Sequence, residues 1–331
     1  MKNQIASRLD RFLVAEQVLN QDVYVEAKIF PAMGSDHWPI RLEIDIKKNS
    51  QKKPFRFEVF WLRNPEFLSK VEEWWNQSQH KGKGKMHTFQ MKLKELKRRI
   101  KIWNREEFGN IIKEKQKLEK EMEEIQQQTI EEGRNEERSR REGIILIQLE
   151  ERRKQEEILW RQKSRINWLR EGERNTKFFH QAMIQHRQRN KIFSIKNDEG
   201  ERIINHAGIE QILVEHHKEI LTEPTVDREM AIFLIGMEIP RLITEEQNMA
   251  LMRETTLEEV EEIVRSMKKN KAPGPDGFTV EFYQAGWYFL DQEILEVVEE
   301  SRMKQKVWPG LNSTFLTLIP KNANSETAHG F

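Results

Sequence analysis

The 331-residue chain contains no cysteine. That excludes disulfide staples, zinc fingers and thiol catalysis, and it argues against a small stapled secreted module. Apolar residues are scarce as well, at 37% of the chain against roughly 45–50% in ordinary globular domains, and mean hydropathy is −0.80. One large core is therefore excluded, and several small cores joined by solvated helical sections are expected. The longest apolar run, Met230 to Met237, falls far short of the roughly 20 residues that span a bilayer, so no membrane partner is expected. Met1 to Asp10 is polar and lacks the apolar core of a signal peptide. The expectation is a soluble intracellular protein. Neither sign of charge is in excess, since 56 basic and 55 acidic side chains leave a net charge of +1. No global field draws a polyanion, and any nucleic-acid contact must be local.

What the chain has in abundance is charge, 34% of its residues, arranged around short apolar patterns. Its length accommodates about two or three domains. Residues 8–62 read as β-rich. Phe12-Leu13-Val14 is a short strand candidate and Val23 to Ile29 alternates. Ile40, Leu42, Ile44 and Ile46 recur at period two, which sets one face on a core. Phe55 to Phe60 is a further strand candidate, and Pro65 to Gln79 turns helical. After the Lys81–Lys85 break, Leu96, Ile100, Trp103, Ile111, Leu118, Met122 and Ile125 predict one helix from Met86 to about Gln128. Glu131-Glu132-Gly133 interrupts it, and a second helix follows from about Arg138 to Leu169. The pair makes an antiparallel hairpin with arms on the order of 45–60 Å long. Its apolar stripe is too irregular for a clean heptad coiled coil, but the hairpin is a candidate surface for self-association.

Asn175 or Thr176 can cap a helix running through Phe178, Phe179 and Met183. Lys191 to Ile204 reads as a β-hairpin with Gly200 at its turn. Helices are expected near 206–221, 244–252 and 256–269, a Pro/Gly loop at 272–277, more helix to about Lys306, and a strand over Thr314–Ile319.

Four groups of residues carry possible chemistry. Asp10 precedes one strand candidate, and Ser35-Asp36-His37 precedes another. A histidine at a loop-to-strand junction beside a carboxylate suits acid/base work, with one carboxylate holding the imidazole tautomer and another near a metal or phosphate. The same residues also read as an exposed loop histidine beside a capping aspartate. Arg161 to Lys191 holds nine Lys/Arg against two Glu, among them Arg165, Arg170, Arg174, Lys177, Arg187 and Arg189, with Trp168, Phe178 and Phe179 interleaved. Cations neutralise phosphates and aromatics stack on bases; the other reading is core aromatics under a solvated basic face. His216-His217 with Glu215 and Glu219 invites a metal, but adjacent histidines point to different helix faces, and solvated helix residues are the better reading.

The sharpest motif is Lys268-Lys269-Asn270-Lys271-Ala272-Pro273-Gly274-Pro275-Asp276-Gly277-Phe278. Pro273 and Pro275 fix φ, Gly274 and Gly277 permit positive φ and close backbone approach, and Asp276 can cap the helix that follows. Exposed N–H groups with Lys268, Lys269 and Lys271 can receive a phosphate backbone. A rigid turn between helices fits the same residues.

Whole words of the chain resemble one family. Arg8-Leu9-Asp10-Arg11-Phe12-Leu13-Val14, Phe30-Pro31 and Ser35-Asp36-His37-Trp38-Pro39-Ile40 resemble the end of the endonuclease/exonuclease/phosphatase family, and more closely the endonuclease of plant LINE (non-LTR) retrotransposons. The resemblance implies that Asp10 orients His37, that His37 acts at the scissile phosphate, and that Asp36 lies beside a metal–water network; such enzymes cut DNA with Mg²⁺. Trp160 to Arg165 and Trp168 to His180 resemble the linker between endonuclease and reverse transcriptase, with Phe55-Arg56-Phe57, Trp61-Leu62, Trp74-Trp75 and Trp103-Asn104 in the expected order. Lys271 to Phe278, Trp287 and Asn312 to Lys321 resemble the opening, or fingers, of a non-LTR reverse transcriptase, which touches template.

The implied fold is α+β, multi-part and mainly helical. Residues 1–48 would be the end of an incomplete endonuclease β-sandwich. Residues 49–190 would be a helical linker with the antiparallel hairpin, and 191–331 a β-hairpin and helices leading into incomplete reverse transcriptase fingers. RNA and DNA are the implied partners, in nucleus or cytoplasm. The family's endonuclease metal ligands lie upstream of the matched motifs, and its paired polymerase carboxylates lie downstream. No complete metal site, no bound cofactor and neither nicking nor polymerase activity is therefore expected of this chain.

Overall fold

In the computed structural model, residues 12–13, 24–29, 40–45, 54–166, 176–190, 192–222, 228–239, 242–322 and 325–331 are described. They fall into two compact units, Met1–Pro54 and Phe55–Phe331. In the first unit the alternating segments pair as their period implies. Strands β1 (Tyr24–Ile29) and β2 (Ile40–Asp45) run antiparallel, with Ile29 opposite Ile40 and Tyr24 opposite Asp45. Phe12 and Leu13 are not in a strand, and the rest of that candidate lies outside the described residues.

The second unit begins with a departure from the expected Phe55–Phe60 strand. The chain is extended to Glu58 and then makes a 3-10 turn, Val59–Arg63. One side chain explains the change: the Gln162 amide donates to the Phe57 carbonyl at 2.7 Å and accepts from the Val59 N–H at 3.0 Å. It thus satisfies backbone groups that a neighbouring strand would otherwise take. Four helices follow: α1 (Phe67–Gln77), α2 (Lys85–Trp103), α3 (Ile111–Glu132) and α4 (Glu136–Ser164).

The helix expected to run unbroken from Met86 to Gln128 is therefore two. A π-helical turn, Asn104–Phe108, buries Phe108, and Gly109 leaves it at φ +78°. Asn110 then starts α3 by accepting from the Ile112 and Lys113 N–H groups, a cap that supplies two orphan donors with a partner.

Helices α3 and α4 form the expected hairpin, closed at Gly133 with φ +84°. Met122 and Ile125 pack on Ile145 and Leu149, with Leu118 alongside. Lys115 pairs with Glu156 and Arg141 with Glu121 across the seam. With 22 and 29 residues the arms are about 33 and 44 Å long, shorter than the sequence implies. The loss comes from the π-turn on one side and from Arg165, at φ +57°, ending α4 on the other.

Beyond the hairpin come α5 (Thr176–Arg189), β3 (Ile195–Lys196) paired with β4 (Arg202–Ile203), and α6 (His206–Leu221). Gly200 takes φ +82° in the β3–β4 turn, as expected. Then follow α7 (Arg228–Glu238), α8 (Glu245–Met252), α9 (Leu257–Ser266), α10 (Val280–Ala285) and α11 (Trp287–Lys304). Helix α7, which occupies the apolar run around Met230–Met237, was not anticipated and buries none of its residues. Thr314–Ile319 is not a strand. Among the described residues no strand pairs with it, and Phe315, Leu316 and Ile319 stay exposed. The fold class is α+β, mainly helical and in several parts.

The largest core is aromatic. Phe55, Phe57, Phe60, Trp61, Phe67, Trp75, Phe89, Trp103 and Phe108 bury together with Phe278, Phe282 and Leu290. It draws on both sides of the boundary expected at residue 190. Helix α11 is strapped to α1 and α2 by polar contacts over this core. Glu293 accepts from the Trp75 indole at 2.9 Å and from Lys92 at 2.6 Å, and Glu300 accepts from the Met86 N–H at 2.6 Å.

Glu299, beside Glu300, makes a comparable clip to the chain between α8 and α9. It accepts from the Thr255 N–H at 2.8 Å and from Arg302, whose guanidinium also donates to the Met252 carbonyl at 2.9 Å. The Arg302 hydrogen bond first, and the Thr255 N–H next, hold the Glu299 carboxyl down at about 2. A depressed folded-state pKa stabilises above the ordinary carboxylate range and loses that contribution as pH falls through the folded value. Glu299→Gln is therefore expected to lose less stability than the parent between neutral pH and about pH 2, read from urea midpoints at both. Equal losses in the two proteins would show that the clip contributes nothing.

Candidate nucleic-acid interface

The loop from Asn270 to Phe278 is built inward at one end and outward at the other. Asn270 sits at φ +61° and donates its N–H to Glu281 at 2.6 Å. The Gly277 N–H closes a turn onto the Gly274 carbonyl at 3.0 Å, and Gly277 itself lies at φ +86°. Its carbonyl accepts from the Phe57 N–H at 2.7 Å. A Cβ at Gly277 would collide with the Phe55 carbonyl oxygen, so this glycine serves both conformation and close approach.

Asp276 does not cap α10 directly. One carboxylate oxygen accepts from the Phe278 N–H at 3.3 Å and the other from the Tyr283 hydroxyl at 2.7 Å. Burial first, then the Asp276 charge and hydrogen bond, hold the Tyr283 hydroxyl well above its usual range. Tyr283 therefore stays a neutral donor, and both Asp276 oxygens are engaged. Lys268, Lys269, Lys271 and Gly274, by contrast, are exposed. The two readings of this motif thus divide along it: Asp276 and Gly277 serve the turn, and the three lysines present charge to solvent.

In the basic stretch, Arg165 is exposed at the end of α4 and Arg189 is exposed at the end of α5, while Lys177 and Arg187 are placed along α5. Arg170 and Arg174 lie outside the described residues. Phe179 is core, with the Arg161 guanidinium 5.6 Å from its ring centre, and Phe178 is half-buried against it. A buried ring cannot stack on a base, so Phe179 belongs to the packing. Asp10, Asp36 and His37 lie outside the described residues.

His217 faces the Leu213 carbonyl at 2.8 Å, and the His216 ring lies 4.4 Å from that of His329. Among the described residues no group of three or more His, Cys, Asp or Glu can hold a metal ion. Sequence reading passed over Gln162 and Tyr283, since neither the amide clamp nor the buried hydroxyl leaves a mark in local spacing.

No family model matches the chain. It is similar to the "Transposon TX1 uncharacterized 149 kDa protein" of Xenopus laevis, 31% identical over 83 residues. The match covers 25% of this chain and 6% of that protein, and it supports a transposon-related origin.

Proposed function

We propose that this chain is a section of a LINE-type retrotransposon protein that grips nucleic acid rather than performing bond chemistry. The observation that carries the reading is the loop at 268–278. Lys268, Lys269 and Lys271 stand exposed on a segment whose other end is hydrogen-bonded to the Phe57 backbone. Cations on a rigid mount can meet phosphates without first being ordered, which lowers the entropic cost of binding. The similarity to a transposon protein and the words shared with the linker and fingers of plant LINE polyproteins support the same reading. In it, the complete polyprotein nicks DNA and copies RNA, and this section helps hold the template beside the polymerase opening.

The test is a fluorescence-anisotropy titration of single-stranded RNA with the full chain at several salt concentrations. Three phosphate contacts from the loop lysines are expected to contribute about −2 to the log–log salt slope. Weak binding that does not respond to salt would refute the proposal.

A further inference from the structure

Helix α2 carries seven basic side chains. Its surroundings neutralise four: Lys85 pairs with Glu296 at 2.8 Å, Lys92 with Glu293 at 2.6 Å, and Arg98 and Arg99 with Glu95 at 2.7 and 3.0 Å. Lys94, Lys97 and Lys101 have no ion pair among the described residues. Their spacing, i, i+3 and i+7, sets all three on one face of the helix. That face adjoins the 270s loop, because the Lys97 ammonium donates to the Asp276 carbonyl at 3.3 Å. Lys97 and Lys101 also stand 5.5 and 5.7 Å from the centre of the Phe55 ring, the residue on which Gly277 is seated.

The acid beside them, Asp276, attracts Lys97 but forms no ion pair with it, and its carboxylate oxygens accept from the Phe278 N–H and the Tyr283 hydroxyl. Burial first, then the Lys101 charge, and last that of Lys94, outweigh the attraction of Asp276 and pull the Lys97 ammonium below its ordinary range. Three cations beside a single carboxylate leave an excess of like charge that costs free energy, and an added polyanion would relieve that cost. The patch is all lysine. Without guanidinium forks it is poorly suited to bidentate recognition of carboxylates, and point charges suit a run of phosphates read without sequence.

We propose that Lys94, Lys97 and Lys101 form, with Lys268, Lys269 and Lys271, a single track for the sugar–phosphate backbone of a nucleic-acid strand. This deepens the reading under Proposed function and rests on it. The track has a helical wall and a loop wall, joined where Lys97 meets Asp276. Along the helix, Lys94 to Lys101 spans about 10 Å, room for more than one phosphate.

The experiment compares the full chain with K94Q/K101Q and with K268Q/K269Q/K271Q, titrating labelled oligouridylate, the matching single-stranded DNA and a DNA duplex over a range of salt. K94Q/K101Q leaves Lys97 in place against Phe55, and its urea midpoint, measured beside the parent's, checks that the fold is kept. On the strand that binds, its salt slope is expected to be shallower by about 1.4, and the loop variant's by about 2. The ranking of the three probes identifies the source of the phosphates. If K94Q/K101Q keeps the parent slope while the loop variant loses it, the helical wall is wrong and the function proposed above stands. If the parent shows no salt-dependent binding, both fall. If polyglutamate competes as well as RNA does, the patch is a general polyanion sink and the nucleic-acid assignment is overturned.

Discussion

Gly277→Val is expected to lower the stability of the second unit by about 2–5 kcal/mol, through two independent penalties. The first is conformational: φ is +86°, and a β-branched residue in the left-handed region loses about 1–2 kcal/mol. The second is steric. The nearest atom to the added Cβ is the Phe55 carbonyl oxygen, which is backbone and cannot rotate away, and forcing extra atoms into a packed site costs about 1–3 kcal/mol. The contact at stake also carries the hydrogen bond from the Phe57 N–H to the Gly277 carbonyl, so moving the loop to relieve the clash would break it. Trp61, Trp75 and Trp103 lie in the same core, and their fluorescence reports its unfolding in urea. Gly274→Ala is the control, because Gly274 is exposed and not at positive φ; its effect should stay within about 0.5 kcal/mol. Similar midpoints for Gly277→Val and the parent would mean that the loop is not seated on Phe55.

Phe57→Ala should be comparably damaging, at about 3–5 kcal/mol. Phe57 is fully buried, and its ring centre lies 5.3 Å from Trp61, 5.9 Å from Phe67, 6.1 Å from Phe278 and 5.2 Å from Phe282. Truncation leaves a cavity walled by rings from two distant stretches of sequence, which collapse into it only in part. A double-mutant cycle with Phe282→Ala tests whether the two stretches share one core. Residues in contact are expected to couple by about 0.5–3 kcal/mol, so the double variant should lose less than the sum of the single losses. Strict additivity would separate residues 55–111 from 278–290 energetically and remove the mount on which the loop lysines depend.

Much of the secondary structure was legible because its causes are local. Gly200 in the β3–β4 turn, Gly133 closing the hairpin, and the period-two residues of β1 and β2 each act within a few positions. The same holds for Thr244 and Thr256, which form capping boxes at the starts of α8 and α9. The failures share an opposite cause. Phe55–Phe60 looked like a strand, but the Phe57 carbonyl and the Val59 N–H are taken by a side chain more than a hundred residues away. Met86–Gln128 looked continuous because apolar spacing survives a π-turn, which keeps Phe108 on the buried side while breaking the helix. Thr314–Ile319 has strand composition but no neighbouring strand among the described residues, and a strand is defined by its partner.

For the candidate site the same division holds. Residue types by themselves marked the 268–278 loop: two prolines, two glycines and three lysines within eleven positions restrict the backbone and concentrate charge wherever they lie in a fold. They left open which of those residues hold the loop and which face solvent. Tertiary structure decided that, by turning Asp276 onto Tyr283 and Gly277 onto Phe55 while leaving the lysines exposed. It also singled out Lys94, Lys97 and Lys101, which the sequence could not do. With 56 cations and 55 anions, net charge says nothing about which cations stay unpaired. Ion pairing depends on distances of a few ångströms between side chains brought together by folding, and only the packed chain specifies those distances.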